Sequence, residues 1–164
     1  LAAAQKDAEY VVFCGVHFMA ESADILTDDR VQVILPDLTA GCSLADACPA
    51  PELKKFQDEL RAKGVKFQTV TYINSTAAIK NLVGRNGGSV CTSTNCARVL
   101  EWALAQGKTV LFLPDQHLGR NTAFSIGVPL EAMCVWDPWK EGGGLAQGAG
   151  HLKKPLTSKP RGGG

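Results

Sequence analysis

Short apolar runs alternate along the chain with stretches in which apolar residues recur every three or four positions. Runs at 10–14, 31–35, 65–73, 89–91, 109–113 and 133–136 read as strands. Over 52–63, Leu53, Phe56 and Leu60 stand at i, i+3 and i+7 among charged residues, and the pattern stops at Gly64, which predicts an amphipathic surface helix. Pro49 and Pro51 mark the turn into it. Residues 97–105 are apolar nearly all round and predict a more deeply buried helix, and 1–9 read as a further helix feeding into the first strand. Apolar strands alternating with helical patterns predict an α/β fold of parallel-sheet, three-layer α/β/α units.

Composition narrows the class. The chain has 164 residues, 45% of them apolar and 20% charged, enough to bury a core and far from the profile of a disordered, collagenous or coiled-coil protein. No apolar run reaches the ~18 residues of a membrane helix, and the first residues lack the basic n-region of a signal peptide. With 17 basic against 16 acidic residues there is no electrostatic footprint for nucleic acid or an anionic membrane. The expectation is a cytoplasmic protein with neither nucleic-acid nor membrane partners. Six cysteines are too few for a secreted disulfide scaffold and read as free, metal-binding or reactive thiols. The start has no Met and no cap, which points to a natural start further upstream. Residues 141–164 are rich in Gly, Lys and Pro and are expected to be disordered.

One arrangement recurs: a strand ends, small or polar residues follow at once, and a helix begins. It occurs at 15–21, 37–46, 74–76, 92–95 and 115–121. In an open α/β sheet such turns gather at the carboxyl edge, where helix N-terminal N–H groups attract carboxylates and phosphates. The strings FCGVHFMAE and FLPDQHLGRN echo one another about a hundred residues apart, each with strand, His and helix start.

Five strings carry a resemblance: VFCGVHFMAESADIL (12–26), AGCSLADACP (40–49), VTYINSTAAIKNLV (70–83), VCTSTNCARVL (90–100) and LFLPDQHLGRNTA (111–123). In this order they resemble the signature blocks of quinolinate synthase. The resemblance implies a pseudo-threefold protein of three similar α/β domains around a central [4Fe-4S] cluster. Each domain would contribute one cysteine, leaving one iron open to substrate. It implies condensation of iminoaspartate with dihydroxyacetone phosphate to quinolinate, phosphate and water in de novo NAD biosynthesis, with L-aspartate oxidase as supplier of iminoaspartate. On this reading residues 1–41 are the C-terminal part of a first domain and 42–140 a second. The family's early substrate-binding His and Ser, its second and third cluster cysteines and its His-Pro-Glu motif have no counterpart here. The expectation is therefore an incomplete piece, with little or no activity alone.

By the same resemblance Cys42 matches the first cluster cysteine, and Tyr72, Ile73 and Asn74, with Ser93, match substrate contacts; no catalytic residue is assigned. Read without the resemblance, Cys42 is a small buried residue, Tyr72 packs on the sheet, and Asn74 and Ser93 are N-caps. Ser43 and Asp46 fit a capping box that would hold the Cys42 turn, and the Ser75-Thr76 helix start is expected to offer free N–H groups. His17, His117 and Arg120 read as structural, and Met19 as core. Cys14, Cys48, Cys91, Cys96 and Cys134 read as buried thiols: neither Cys42 with Cys48 nor Cys91 with Cys96 has C-x2-C spacing, and MCVWDPW around Cys134 does not resemble the family's second-cysteine block. The competing reading is a non-catalytic α/β module that binds a small carboxylate or phosphate at helix N-termini. A cysteine-redox protein lacks the motif it needs.

Overall fold

The computed structural model describes residues 2–140, Gly143 and the backbone of 156–158. Two parallel sheets organise it. The first pairs β1 (Tyr10–Val12) with β2 (Gln32–Ile34), Val12 opposite Ile34, and α1 (His17–Leu26) joins them. Phe18, Ala20 and Ala23 are the buried stripe of α1, whereas Tyr10, Val12 and Ile34 are exposed.

The second sheet holds β3 (Phe67–Tyr72), β4 (Ser89–Cys91), β5 (Thr109–Leu113), β6 (Cys134–Trp136) and β7 (Leu156–Ser158) in the order β4-β3-β5-β7-β6, all parallel. Side chains alternate across β5 and so build two cores. Leu111 and Leu113 pack with Leu53, Phe56 and Leu60 of α2 (Ala50–Ala62) and with Ile79 and Val83 of α3 (Ala77–Arg85). Val110 and Phe112 point the other way, toward Leu100 and Ala103 of α4 (Cys96–Ala105) and Ala123 of α5 (His117–Ser125). Strands buried on both faces by helices are the expected three-layer α/β/α arrangement.

Helix α2 follows its predicted pattern. Pro49 is its cap, Leu53, Phe56 and Leu60 are buried, and Gly64 turns the chain at φ +68, a conformation that costs other residues Cβ strain. Gln57 is buried on the same face, where its amide donates to Thr69 Oγ1 (3.2 Å) and its carbonyl accepts from Asn86 (2.9 Å), so the polar group is satisfied.

Four sequence expectations need correction. Of the predicted helix 1–9, the described residues 2–9 form only a 3-10 turn, Ala2–Ala4, because the segment has no apolar stripe to bury and is too short to hold a helix on propensity. Helix α4 is one-sided: Cys96, Leu100 and Ala103 are buried, but Arg98, Glu101 and Trp102 face solvent. Met19 is 47% exposed and is not core. The backbone of Leu156–Ser158, inside the segment expected to be disordered, is a strand between β5 and β6, where its main chain pairs with two otherwise open edges. The remainder of that expectation lies outside the described residues.

A close approach at Gly88 gives a stability prediction. A Cβ there would stand 2.2 Å from the Thr69 carbonyl oxygen and 2.9 Å from that of Val83. Both obstacles are backbone, and Thr69 lies in β3, which is paired on both sides. Gly88→Ala is expected to cost about 1–3 kcal/mol, read as a lower urea midpoint at unchanged slope.

Candidate functional site

Strand β3 leads through α3 to β4 on one side, and β5 leads through α5 toward β6 on the other; α3 and α5 lie on opposite faces. The chain therefore reverses direction between the carboxyl ends of β3 and β5. Such a switch point leaves a crevice between neighbouring strand ends, the usual ligand position in open α/β sheets.

Tyr72 ends β3 opposite Cys91 at the end of β4, and the Ile73 N–H donates to the Cys91 carbonyl at 2.8 Å. Tyr72, Ile73 and Asn74 thus lie beside the Thr92-Ser93 turn. Ser75 is fully buried and pins this turn, its hydroxyl donating to the Tyr72 carbonyl at 2.9 Å. Asn74 is not the cap of α3: that position belongs to Thr76, whose Oγ1 accepts the Ile79 N–H. Nor does Ser93 cap α4. Asn95 precedes that helix, and its Oδ1 accepts the Thr92 N–H at 2.6 Å. Among the described residues, the Tyr72 hydroxyl, the half-buried Asn74 carboxamide and the Ser93 hydroxyl have no hydrogen-bond partner. Three neutral donors are thereby left available at one sheet edge.

The helix start of α3 differs from expectation. The Ala77 N–H is taken by Glu21 Oε2 of α1 at 3.0 Å, and the Ile79 N–H by Thr76. An internal carboxylate already complements this positive helix end.

Cys42 lies in the loop that follows β2 and is half-buried. Asp37 shapes the loop by accepting the Thr39 N–H (2.8 Å) and hydroxyl (2.6 Å); these bonds hold its carboxyl below the usual aspartate range. The Ala40 carbonyl accepts the His17 N–H at 2.8 Å, which ties the loop to α1. The Ser43–Asp46 capping box does not form. Only a 3-10 turn, Ala45–Ala47, follows; its cap position is Leu44 without a side-chain bond, and the Asp46 N–H donates instead to the Cys42 carbonyl at 3.0 Å. No hydrogen bond joins the Cys42 loop to Tyr72, Asn74 or Ser93 among the described residues.

The other thiols divide by place in the fold. Cys48, Cys91 and Cys96 are buried as expected, and burial, reinforced by Glu52, pushes the Cys48 thiol up to about 12. A hydrogen bond between Cys91 and Cys96 pushes the first up and pulls the second down. Cys14 is exposed and Cys134 half-buried, against expectation: Cys14 follows the last paired residue of β1, and Cys134 opens the edge strand β6. Among the described residues no three His, Cys, Asp or Glu side chains group as a metal site.

His17 and His117 each begin a helix with an exposed ring, and each donates its backbone N–H, to Ala40 O and to Asp115 Oδ1 (2.5 Å). Asp115 is buried and also accepts the Leu118 N–H, so its carboxylate completes the start of α5. No helix of the described residues is long and apolar enough to cross a membrane. Glu21 is the residue that sequence reasoning passed over. Its contact lies 56 positions away, and no local pattern marks it.

Residues 1–141 match the profile of the family described as Quinolinate synthetase A protein. The chain is 58% identical over 137 residues to the quinolinate synthase of Bacillus licheniformis, covering 83% of this chain and 37% of that protein. It is 54% identical over 146 residues to the quinolinate synthase of Acidobacterium capsulatum (87% and 39%) and 52% identical over 155 residues to that of Geobacillus thermodenitrificans (94% and 41%). The chain thus spans about two fifths of the length of the curated relatives it matches.

Proposed function

This chain belongs to the quinolinate synthetase A family, and we propose that it forms part of a quinolinate synthase, the site of condensation of iminoaspartate with dihydroxyacetone phosphate. The observation that carries the reading is the set of unpartnered donors, Tyr72, Asn74 and Ser93, on adjacent turns at the carboxyl ends of β3 and β4, next to the β3–β5 switch point. Iminoaspartate is a dicarboxylate, and directional neutral donors suit its oxygens without the desolvation penalty of a buried counter-charge. In this assignment Tyr72 and Asn74 hold one carboxylate, the Ile73 backbone fixes the turn through Cys91, and Ser93 binds a second anionic group.

Cys42 is assigned as one thiolate ligand of a [4Fe-4S] cluster. A bound cluster with an open iron would supply Lewis-acid polarisation for the dehydration steps. The described residues do not fit a complete cluster site, because Cys42 is a lone donor without neighbouring ligands. This chain alone is therefore assigned no activity. L-aspartate oxidase remains the proposed supplier of iminoaspartate, and the cytoplasm the proposed location.

The test uses a polypeptide of the relatives' full length that carries these residues, the full-length form below. Asn74→Ala and Tyr72→Phe each remove one hydrogen bond to a charged group, so kcat/KM for quinolinate formation should fall about 10- to 100-fold. Unchanged kinetics in both variants contradict the substrate assignment. If the full-length form binds a small dicarboxylate yet is colourless and makes no quinolinate, the non-catalytic binding module is the better account.

A further inference from the structure

Helix α1 touches both halves of the candidate site. At its first residue the His17 N–H holds the Ala40 carbonyl at 2.8 Å, two residues before Cys42. Four residues later Glu21 Oε2 accepts the Ala77 N–H at 3.0 Å, three residues beyond Asn74. Beside it the Lys80 ammonium donates to Ser22 Oγ at 3.0 Å and stands 5.4 Å from the centre of the buried Phe18 ring. One side of α1 is thereby fixed against the first turns of α3.

We propose that Glu21 is a positioning residue: through α1 it sets the Tyr72–Asn74 turn relative to the Cys42 loop. The inference rests on the function proposed above. Glu21 suits the task because its bond is charge-assisted and lies at the positive end of α3, where a carboxylate is favoured. Its charge also favours the ammonium of Lys80, which burial otherwise disfavours. Glu21 and Thr76 thereby occupy two of the N–H groups in the first turn of α3, those of Ala77 and Ile79. A further consequence is that α1 couples two loops that, among the described residues, share no direct hydrogen bond.

The experiment is hydrogen exchange by mass spectrometry on the full-length form, read at 37–48 and at 72–79, for wild type, E21A and E21Q. Loss of the clamp in E21A should accelerate exchange about tenfold or more in both segments, although residue 21 touches only one of them. E21Q keeps an oxygen for the Ala77 N–H and should recover much of the protection. In the condensation assay, E21A should raise KM for iminoaspartate about tenfold with a smaller change in kcat, and E21Q should restore most of it. Acceleration confined to 77–79 makes Glu21 a local cap and overturns the proposal, as does unchanged exchange. If E21A does not fold, E21Q decides alone: intermediate acceleration in both segments supports the clamp, and none contradicts it. Exchange requires no turnover, so a full-length form that makes no quinolinate refutes the proposed function while the clamp is still tested.

Discussion

Replacing Cys42 with alanine in the full-length form is expected to abolish the broad visible absorption of an iron–sulfur cluster and, with it, quinolinate formation. The six thiols of this chain are unequal candidates for iron. Cys48, Cys91 and Cys96 are buried within the layers around the second sheet, and Cys48 is further disfavoured as a thiolate, with its pKa pushed up to about 12 by burial. Cys134 opens the edge strand β6, away from the carboxyl ends where the candidate site lies. Cys42 is half-buried in a loop shaped by Asp37 and tethered by the His17 N–H. A half-exposed thiol on a fixed turn is reachable by a metal and costs little to orient. Cys14 is the sharp control, since it is the most exposed thiol and, like Cys42, lies beyond the carboxyl end of a strand of the first sheet. Cys14→Ala should keep the absorption and Cys42→Ala should lose it; the opposite result removes Cys42 from the account.

Phe112→Ala is expected to be the most destabilising single truncation of the sheet core. Phe112 is 2% exposed in β5 and packs with Val70, Val110, Leu100, Ala103 and Ala123. Helix α5 closes on the ring through Gly119, where an added Cβ would lie 2.4 Å from Phe112 Cδ1. Helix and strand approach so closely that neighbours cannot collapse into the space a truncation leaves. The loss should be about 3–5 kcal/mol, against a total of roughly 5–15 kcal/mol for an ordinary domain. Gly119→Ala overpacks the same contact and should destabilise by itself. In the Phe112→Leu background its cost should shrink, a coupling that a double-mutant cycle measures in urea. A Phe112→Ala cost below about 1 kcal/mol would show that the site relaxes freely and that the contact is not limiting.

Much of this architecture is legible in the sequence because the strands of the second sheet are buried on both faces. Thr109–Leu113 is a continuous apolar run since each of its sides meets a helix layer, and Leu53, Phe56 and Leu60 show the single stripe of α2. Strand β7 could not be read that way. Leu156–Ser158 is three residues inside a Gly-, Lys- and Pro-rich segment, and its strand state is set by the open edges of β5 and β6. The alanine-rich start misled in the opposite direction, offering helix propensity without a face to bury.

At the candidate site, the resemblance to the family's blocks singled out Tyr72, Asn74 and Ser93, the strand-end pattern reaching only the last two, and the structure places all three on neighbouring turns. Sequence alone could not separate donor from cap. That distinction depended on finding Thr76 and Asn95 already in the roles that composition alone assigns to Asn74 and Ser93. Glu21 was invisible for a related reason: a carboxylate that completes another helix is defined by its tertiary contact, and its own helix reads as an ordinary amphipathic surface element.

The central claim, that Cys42 belongs to a cluster which this chain shares with other parts of a quinolinate synthase, is tested most directly by anaerobic iron and sulfide reconstitution. Visible absorption, EPR and iron content would be measured for the chain and for the full-length form in parallel. The account predicts a [4Fe-4S] signature and about four irons per polypeptide in the full-length form only. A full-length form that stays colourless and iron-free would contradict it.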